Sequence, residues 1–127
     1  RETAGKDGKS GGYRKGAGRG KKGWYRGYFC DSSWELAFLI YHLDKNIKIK
    51  RCLEQRNYIW YGRQRKYNPD FIVNEKIYEI KGYKTKQWEA KLLANPDIIV
   101  LYKNEMKEIL NYVILKYGKD FIKLYEK

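Results

Sequence analysis

Lys66-Tyr67-Asn68-Pro69-Asp70-Phe71-Ile72-Val73-Asn74-Glu75-Lys76-Ile77-Tyr78-Glu79-Ile80-Lys81 reads as two strands, 66–73 and 76–81, joined by a two-residue turn at Asn74-Glu75. Pairing Val73 with Lys76 sets Phe71 opposite Tyr78 and Asp70 opposite Glu79. Side chains alternate along a strand, so Asn68, Asp70, Glu79 and Lys81 are expected to leave one face together. Opposed residues of a sheet have Cβ atoms roughly 5 Å apart. Two carboxylates that close repel each other unless a cation lies between them, so the pattern asks for a divalent metal. Register decides the matter, because a one-residue slip at the turn separates Asp70 from Glu79.

Working outward, Leu36, Leu39, Ile40 and Leu43 follow helical spacing, which predicts an amphipathic helix over 32–45. Residues 47–51 and 57–61 read as strands, and Gly82 breaks the strand that carries Glu79. A short helix over 85–94 turns Trp88 and Leu92 inward and stops at Asn95-Pro96. The apolar run 97–102 predicts a strand near the centre of the sheet. A last helix over 103–117 carries Met106, Ile109, Leu110, Val113 and Tyr117 on one stripe and ends at Gly118. The order αββββαβα gives an α/β sandwich around a mixed sheet.

Residues 1–28 differ from the rest of the chain. They are rich in Lys, Arg and Gly and almost free of aliphatic side chains. Such a segment is not expected to pack a core of its own, which places the globular part at 29–127. No Gly-Lys there is followed by Ser or Thr, so it is not a Walker-type phosphate loop. Glycine lets backbone approach phosphate while Arg14, Lys15, Arg19, Lys21, Lys22 and Arg26 neutralise it and Trp24 packs or stacks. A disordered basic tail is the plain alternative; an arm that tracks DNA, lying in a groove, is the reading the pattern favours.

The formal net charge of +13 over 127 residues points to a polyanionic partner, with nucleic acid the default. An anionic membrane surface is the rival, and no strongly basic amphipathic helix supports it. No apolar run reaches the roughly 18 residues of a membrane span. No secretory signal is visible, and two isolated cysteines, Cys30 and Cys52, suit a reducing, intracellular setting. The chain begins at Arg1 rather than Met, which leaves room for an upstream region. Cys30, Cys52 and His42 lack zinc-site spacing, and a histidine-based nuclease site needs more than the one histidine present. His42 is expected to be packed or exposed rather than catalytic.

The chemistry expected of the hairpin is metal-dependent phosphodiester hydrolysis. Asp70 and Glu79 would hold Mg²⁺ with help from the carbonyl of Ile80, and Mn²⁺ is expected to substitute. Lys81 would orient or deprotonate the attacking water, or neutralise the phosphate. The bland alternative is a solvated strand face. Glu35 stands three residues after Ser32 at a helix start, the spacing of a capping box, and the residues alone favour that cap over a site role.

Pro69-Asp70 followed by Glu79-Ile80-Lys81 resembles the signature of the PD-(D/E)XK nuclease superfamily, and the resemblance covers roughly residues 31–102. It implies a restriction-endonuclease-like mixed sheet flanked by helices. It also implies that Glu35 is a secondary acid reaching the metal through water, which raises that role above the cap. The polar residue on the helix after the lysine maps to Gln87, or alternatively Lys91, touching phosphate or water. More narrowly, Cys30 to Leu36, Tyr67 to Phe71 and Glu79 to Tyr83 are similar to small intron-associated homing endonucleases of phages and large DNA viruses. That similarity implies cleavage of double-stranded DNA at a long site, with an upstream DNA-reading module outside this chain. One active site cuts one strand, so a double-strand break requires a homodimer or two successive nicks. A nickase or Holliday-junction resolvase of the same superfamily is the nearest rival; a non-catalytic nucleic-acid binder is the rival of another class.

Overall fold

The computed structural model describes residues 21–126. It is a mixed α/β structure in the order β1 (Gly23–Tyr25), β2 (Tyr28–Cys30), α1 (Ser33–Asp44), β3 (Ile49–Arg51), β4 (Arg56–Trp60), β5 (Arg63–Tyr67), β6 (Phe71–Val73), β7 (Lys76–Ile80), α2 (Lys86–Ala94), β8 (Ile99–Leu101) and α3 (Lys103–Tyr117). A short 3₁₀ turn, Phe121–Leu124, comes after α3. The central sheet has the order β3-β6-β7-β8, with antiparallel pairs up to β7 and a parallel β7–β8 pair.

The hairpin register is the expected one: Val73 pairs with Lys76, Ile72 with Ile77 and Phe71 with Tyr78. Asn74 and Glu75 both take positive φ, 52° and 66°, as a tight two-residue hairpin turn requires. The strand expected over 66–73 is instead two strands. Pro69 has no N–H to donate to a ladder, so pairing breaks there. The upstream piece, β5, pairs with β4 as a separate ribbon, from Arg56–Tyr67 to Trp60–Arg63. Asn68 consequently stands exposed outside either strand and does not join Asp70 and Glu79.

Helix α1 is capped by Ser32, whose Oγ accepts from the Glu35 N–H at 3.2 Å. Leu36, Ala37, Phe38, Leu39 and Ile40 are all buried, so the helix is enclosed on most of its circumference rather than along one stripe. It packs on α3, whose Met106 and Val113 are fully buried. Asp44 ties the two helices, accepting from Tyr117 Oη at 2.8 Å, Tyr112 Oη at 3.0 Å and Lys116 Nζ at 3.0 Å. Gly118 ends α3 at φ 97°. Phe71, Val73, Ile49 and Ile80 complete this main core from one face of the sheet. A smaller cluster on the other face joins Cys52, Ile77 and Ile98 to Tyr67, Ile72 and Val100.

Two expectations need correction. The strand at Ile99–Leu101 is an edge strand, bonded to β7 alone, and is only half-buried. Its apolar run reports packing above and below the sheet, not a neighbour on either side. The basic segment also ends earlier than residue 28, because β1 and β2 form a hairpin belonging to the folded unit. Tyr25 is buried in the main core, the Trp24 carbonyl accepts from the Glu126 N–H at 2.7 Å, and the Arg26 N–H donates to Glu126 Oε2 at 2.7 Å. The partner lies at the far end of the chain, so local composition could not reveal it. Arg14, Lys15 and Arg19 lie outside the described residues. No helix among the described residues is long and apolar enough to cross a membrane.

Candidate functional site

Asp70 occupies the position where Pro69 breaks the strand, and two bonds fix it. Its carbonyl accepts from the Cys52 N–H at 3.0 Å, and its Oδ2 accepts from the Ile80 N–H at 2.8 Å. The side chain thus continues the β6–β7 pairing one step past the last ladder pair. Glu79 leaves β7 on the face opposite Tyr78 and Ile80, toward Tyr67 and the smaller cluster. Asp70 and Glu79 are each 8% exposed and Glu35 is 6% exposed, so three carboxylates are nearly removed from water.

The electrostatics follow from that burial. Burial first, then the charges of Glu79 and Glu35, push the Asp70 carboxyl well above the usual carboxylate range. Burial pushes Glu79 up to about 7, against the pull of Lys81 and Lys91, with Glu35 adding to the rise. Each acid therefore feels another, and two lysines supply the opposing field. Glu79 Oε1 is buried and has no hydrogen-bond partner, as is the Tyr67 hydroxyl. The two are neighbours in effect: burial and then the Glu79 charge raise the Tyr67 phenol. A buried polar atom left unpaired costs about 1–3 kcal/mol, more if charged.

Glu35 plays a double part. Its Oε1 accepts from Arg51 Nη1 at 2.9 Å and from the Asp31 N–H at 3.2 Å, so it closes back on Asp31 rather than on Ser32. Burial still outweighs Arg51 and holds the Glu35 carboxyl above its ordinary value. Arg51 stacks over Phe71, 4.5 Å from the ring centre, which seats its guanidinium beside the start of β6. Among the described residues no group of three or more His, Cys, Asp or Glu is set to hold a metal ion. With Glu35 engaged by Arg51, the metal expectation comes down to the Asp70–Glu79 pair.

Lys81 extends over the Trp88 ring with Nζ 5.0 Å from its centre, while its N–H bonds to the Leu101 carbonyl at 3.0 Å. Of the two alternatives on α2, Gln87 donates to the Tyr58 hydroxyl at 2.8 Å, which ties it to β4. Lys91 lies over the rings of Tyr67 and Tyr58, at 4.8 and 5.5 Å, and its charge is felt by Glu79. The helix thus presents Lys91, rather than Gln87, to the acids. Tyr67 and Arg51 had no assigned role on sequence. Tyr67 lies three residues before Asp70, a local signal, whereas Arg51 joins only through the β3–β6 pairing.

His42 is packed, its Nδ1 2.7 Å from the Phe38 carbonyl, and burial lowers its pKa. Both cysteines are free thiols, and burial pushes Cys30 up to about 12. A cleft of about 1190 Å³ lies at the turn end of the sheet near Lys50, Ile72, Lys76 and Ile77, and its lining does not include Glu35, Asp70 or Glu79. Compared with protein-family models, curated proteins and solved structures, the chain matches none.

Proposed function

We propose that this chain is a Mg²⁺-dependent endonuclease of the PD-(D/E)XK kind, hydrolysing phosphodiester bonds of double-stranded DNA at a specific, homing-type site. The observation that carries it is the buried Asp70–Glu79 pair with an unpartnered Glu79 Oε1, flanked by Lys81. Two carboxylates kept from water with no cation in salt-bridge contact do not stabilise a fold. They are the oxygen donors that a hard divalent cation takes.

Asp70, Glu79 and the carbonyl of Ile80 would hold the ion. When bound, Mg²⁺ supplies a Lewis acid that polarises the scissile phosphate and makes a bound water more acidic. Asp70 is pre-positioned by its bond to the Ile80 N–H, so little side-chain entropy is lost on binding. Lys81, lying across Trp88, has a restricted arc that keeps its amine near Glu79. There it offsets charge building on the phosphate or orients the attacking water. Lys91, lying over the Tyr67 ring, offers an ammonium to phosphate oxygens on the same side. Glu35 and Arg51 act one step back, setting the field at Asp70. The excess of 28 Lys and Arg over 15 Asp and Glu supplies the salt-sensitive attraction to the DNA backbone.

Supercoiled plasmid incubated with Mg²⁺ tests this directly, with Asp70→Asn and Lys81→Ala beside wild type. The expected outcome is conversion to open-circular or linear DNA by wild type and its loss in both variants. Equal inertness of all three on plasmids bearing diverse inserts would favour a non-catalytic binder. Cleavage of branched substrates in preference to linear duplex would shift the assignment to a junction resolvase.

A further inference from the structure

The β4–β5 ribbon has a firmly held root and an unsupported end. Arg56 makes two bonds to Asp97, each 2.9 Å, and Asn95 donates to the Asn57 carbonyl at 2.9 Å. Tyr58 is buried against α2. Beyond it the chain leaves the body of the protein. Ile59 is 59% and Tyr61 85% exposed, and residues 62–66 are all exposed. Tyr61 and Gly62, at φ 52° and 73°, make the tight turn that matches strand twist.

The composition of this ribbon is one-sided. Between residues 55 and 67 there is no Asp or Glu, while Arg56, Arg63, Arg65 and Lys66 are cationic. Arg56 is engaged at the root. Among the described residues, Arg63, Arg65 and Lys66 have no carboxylate partner. Register places Arg65 across from Tyr58 and Arg63 across from Trp60, on the same face as Tyr67. The two guanidiniums therefore stand at intervals of about 6.6 Å along a line that starts at Tyr67, beside Glu79. The opposite face carries Asn57, Ile59, Gln64 and Lys66, all exposed.

These are the side chains that read base edges. Asn and Gln pair with adenine, Lys with guanine, and an apolar group meets the thymine methyl. A two-stranded ribbon also fits the major groove of B-form DNA, about 12 Å wide. The corresponding groove of double-stranded RNA is too narrow and deep to admit one.

We propose that the β4–β5 ribbon is a DNA-reading element that enters the major groove next to the cleavage site. Arg63 and Arg65 grip the phosphates that lead to Glu79, and the Asn57–Gln64 face meets the bases. This rests on duplex DNA as the substrate but not on hydrolysis, so it is tested in EDTA, where cleavage plays no part.

The measurement is fluorescence anisotropy of the full chain with a labelled 30-base-pair duplex across a salt series. Arg63→Ala/Arg65→Ala should weaken binding at least tenfold near physiological salt. It should also reduce the log K against log salt slope by about 1.8, at roughly 0.9 per phosphate contact. Arg63→Lys/Arg65→Lys should restore most of the slope. Methyl green, a major-groove ligand, should displace wild type, and duplex RNA of the same length should compete poorly. An environment-sensitive dye on Tyr61→Cys gives a second readout, since Cys30 and Cys52 are buried. Its emission should change on DNA addition even if the double variant folds poorly. An unchanged slope with a silent dye would overturn the proposal. Indifference to methyl green, or RNA competing as well as DNA, would overturn the groove assignment.

Discussion

Replacing Glu79 by Gln should make the metal-free protein more stable at alkaline pH and leave it little changed at acid pH. Glu79 titrates near 7 in the folded chain against an ordinary 4.5, because burial disfavours its charge. A carboxyl whose folded pKa is raised contributes stability below about 4.5 and loses it as pH rises through 7. At about 1.36 kcal/mol per pH unit, ionising Glu79 costs the fold roughly 3 kcal/mol at pH 8.5 and under about 1 kcal/mol at pH 5. A neutral glutamine removes that cost. The amide also enters a position where Oε1 had no partner, but this effect acts at both pH values and cancels in the difference. For a domain of this size, about 2–3 kcal/mol corresponds to a melting temperature roughly 10 °C higher. Thermal melts in EDTA at pH 5 and 8.5 read this out. Mg²⁺ added at pH 8.5 should stabilise wild type by linkage and leave Glu79→Gln unmoved. A variant destabilised equally at both pH values would refute the claim that Glu79 is held charged against its surroundings.

Other perturbations probe the supports of the site and the fold. Arg51→Met strips Glu35 of its ion-pair partner and should cost about 3 kcal/mol in denaturant unfolding, with Glu35→Gln/Arg51→Met recovering most of it; a double variant as unstable as the single one would show that the two do not act as a pair. Gly23→Ala drives a methyl into the ring of Tyr125 and should destabilise by about 1–3 kcal/mol, whereas a silent substitution would return β1 to a free basic arm. Glu75→Gly relieves a left-handed residue in the β6–β7 turn and should add about 0.5–1 kcal/mol; a loss of stability would mean that the turn does not hold positive φ at that position.

Local periodicity carried much of this structure. The α1 helix and the α3 stripe, the caps at Ser32 and Gly118, and the Phe71–Tyr78 register all depend on residues close in sequence. What escaped is non-local or needs a physical arbiter. The β1–β2 hairpin is held by Tyr125 and Glu126, about a hundred residues away, so a Gly-rich basic composition concealed it. Pro69 was legible in the sequence, but the consequence of its missing N–H was not: it splits a strand and frees β5 to form the ribbon. At the candidate site, the nearness of Asp70 to Glu79 and Ile80 was legible because a tight turn fixes the register. Arg51 was not, since its place beside Glu35 depends on a pairing between strands twenty residues apart.

The central claim is that the Asp70–Glu79 pair cuts DNA when a divalent metal joins it. The most direct measurement incubates wild type and Asp70→Asn with a plasmid library carrying randomised inserts, in Mg²⁺ and in EDTA, and sequences every new end. New ends clustered at a recurring motif, present only for wild type with Mg²⁺, are predicted. The same ends from Asp70→Asn, or no new ends from wild type in Mg²⁺ or Mn²⁺, would contradict it.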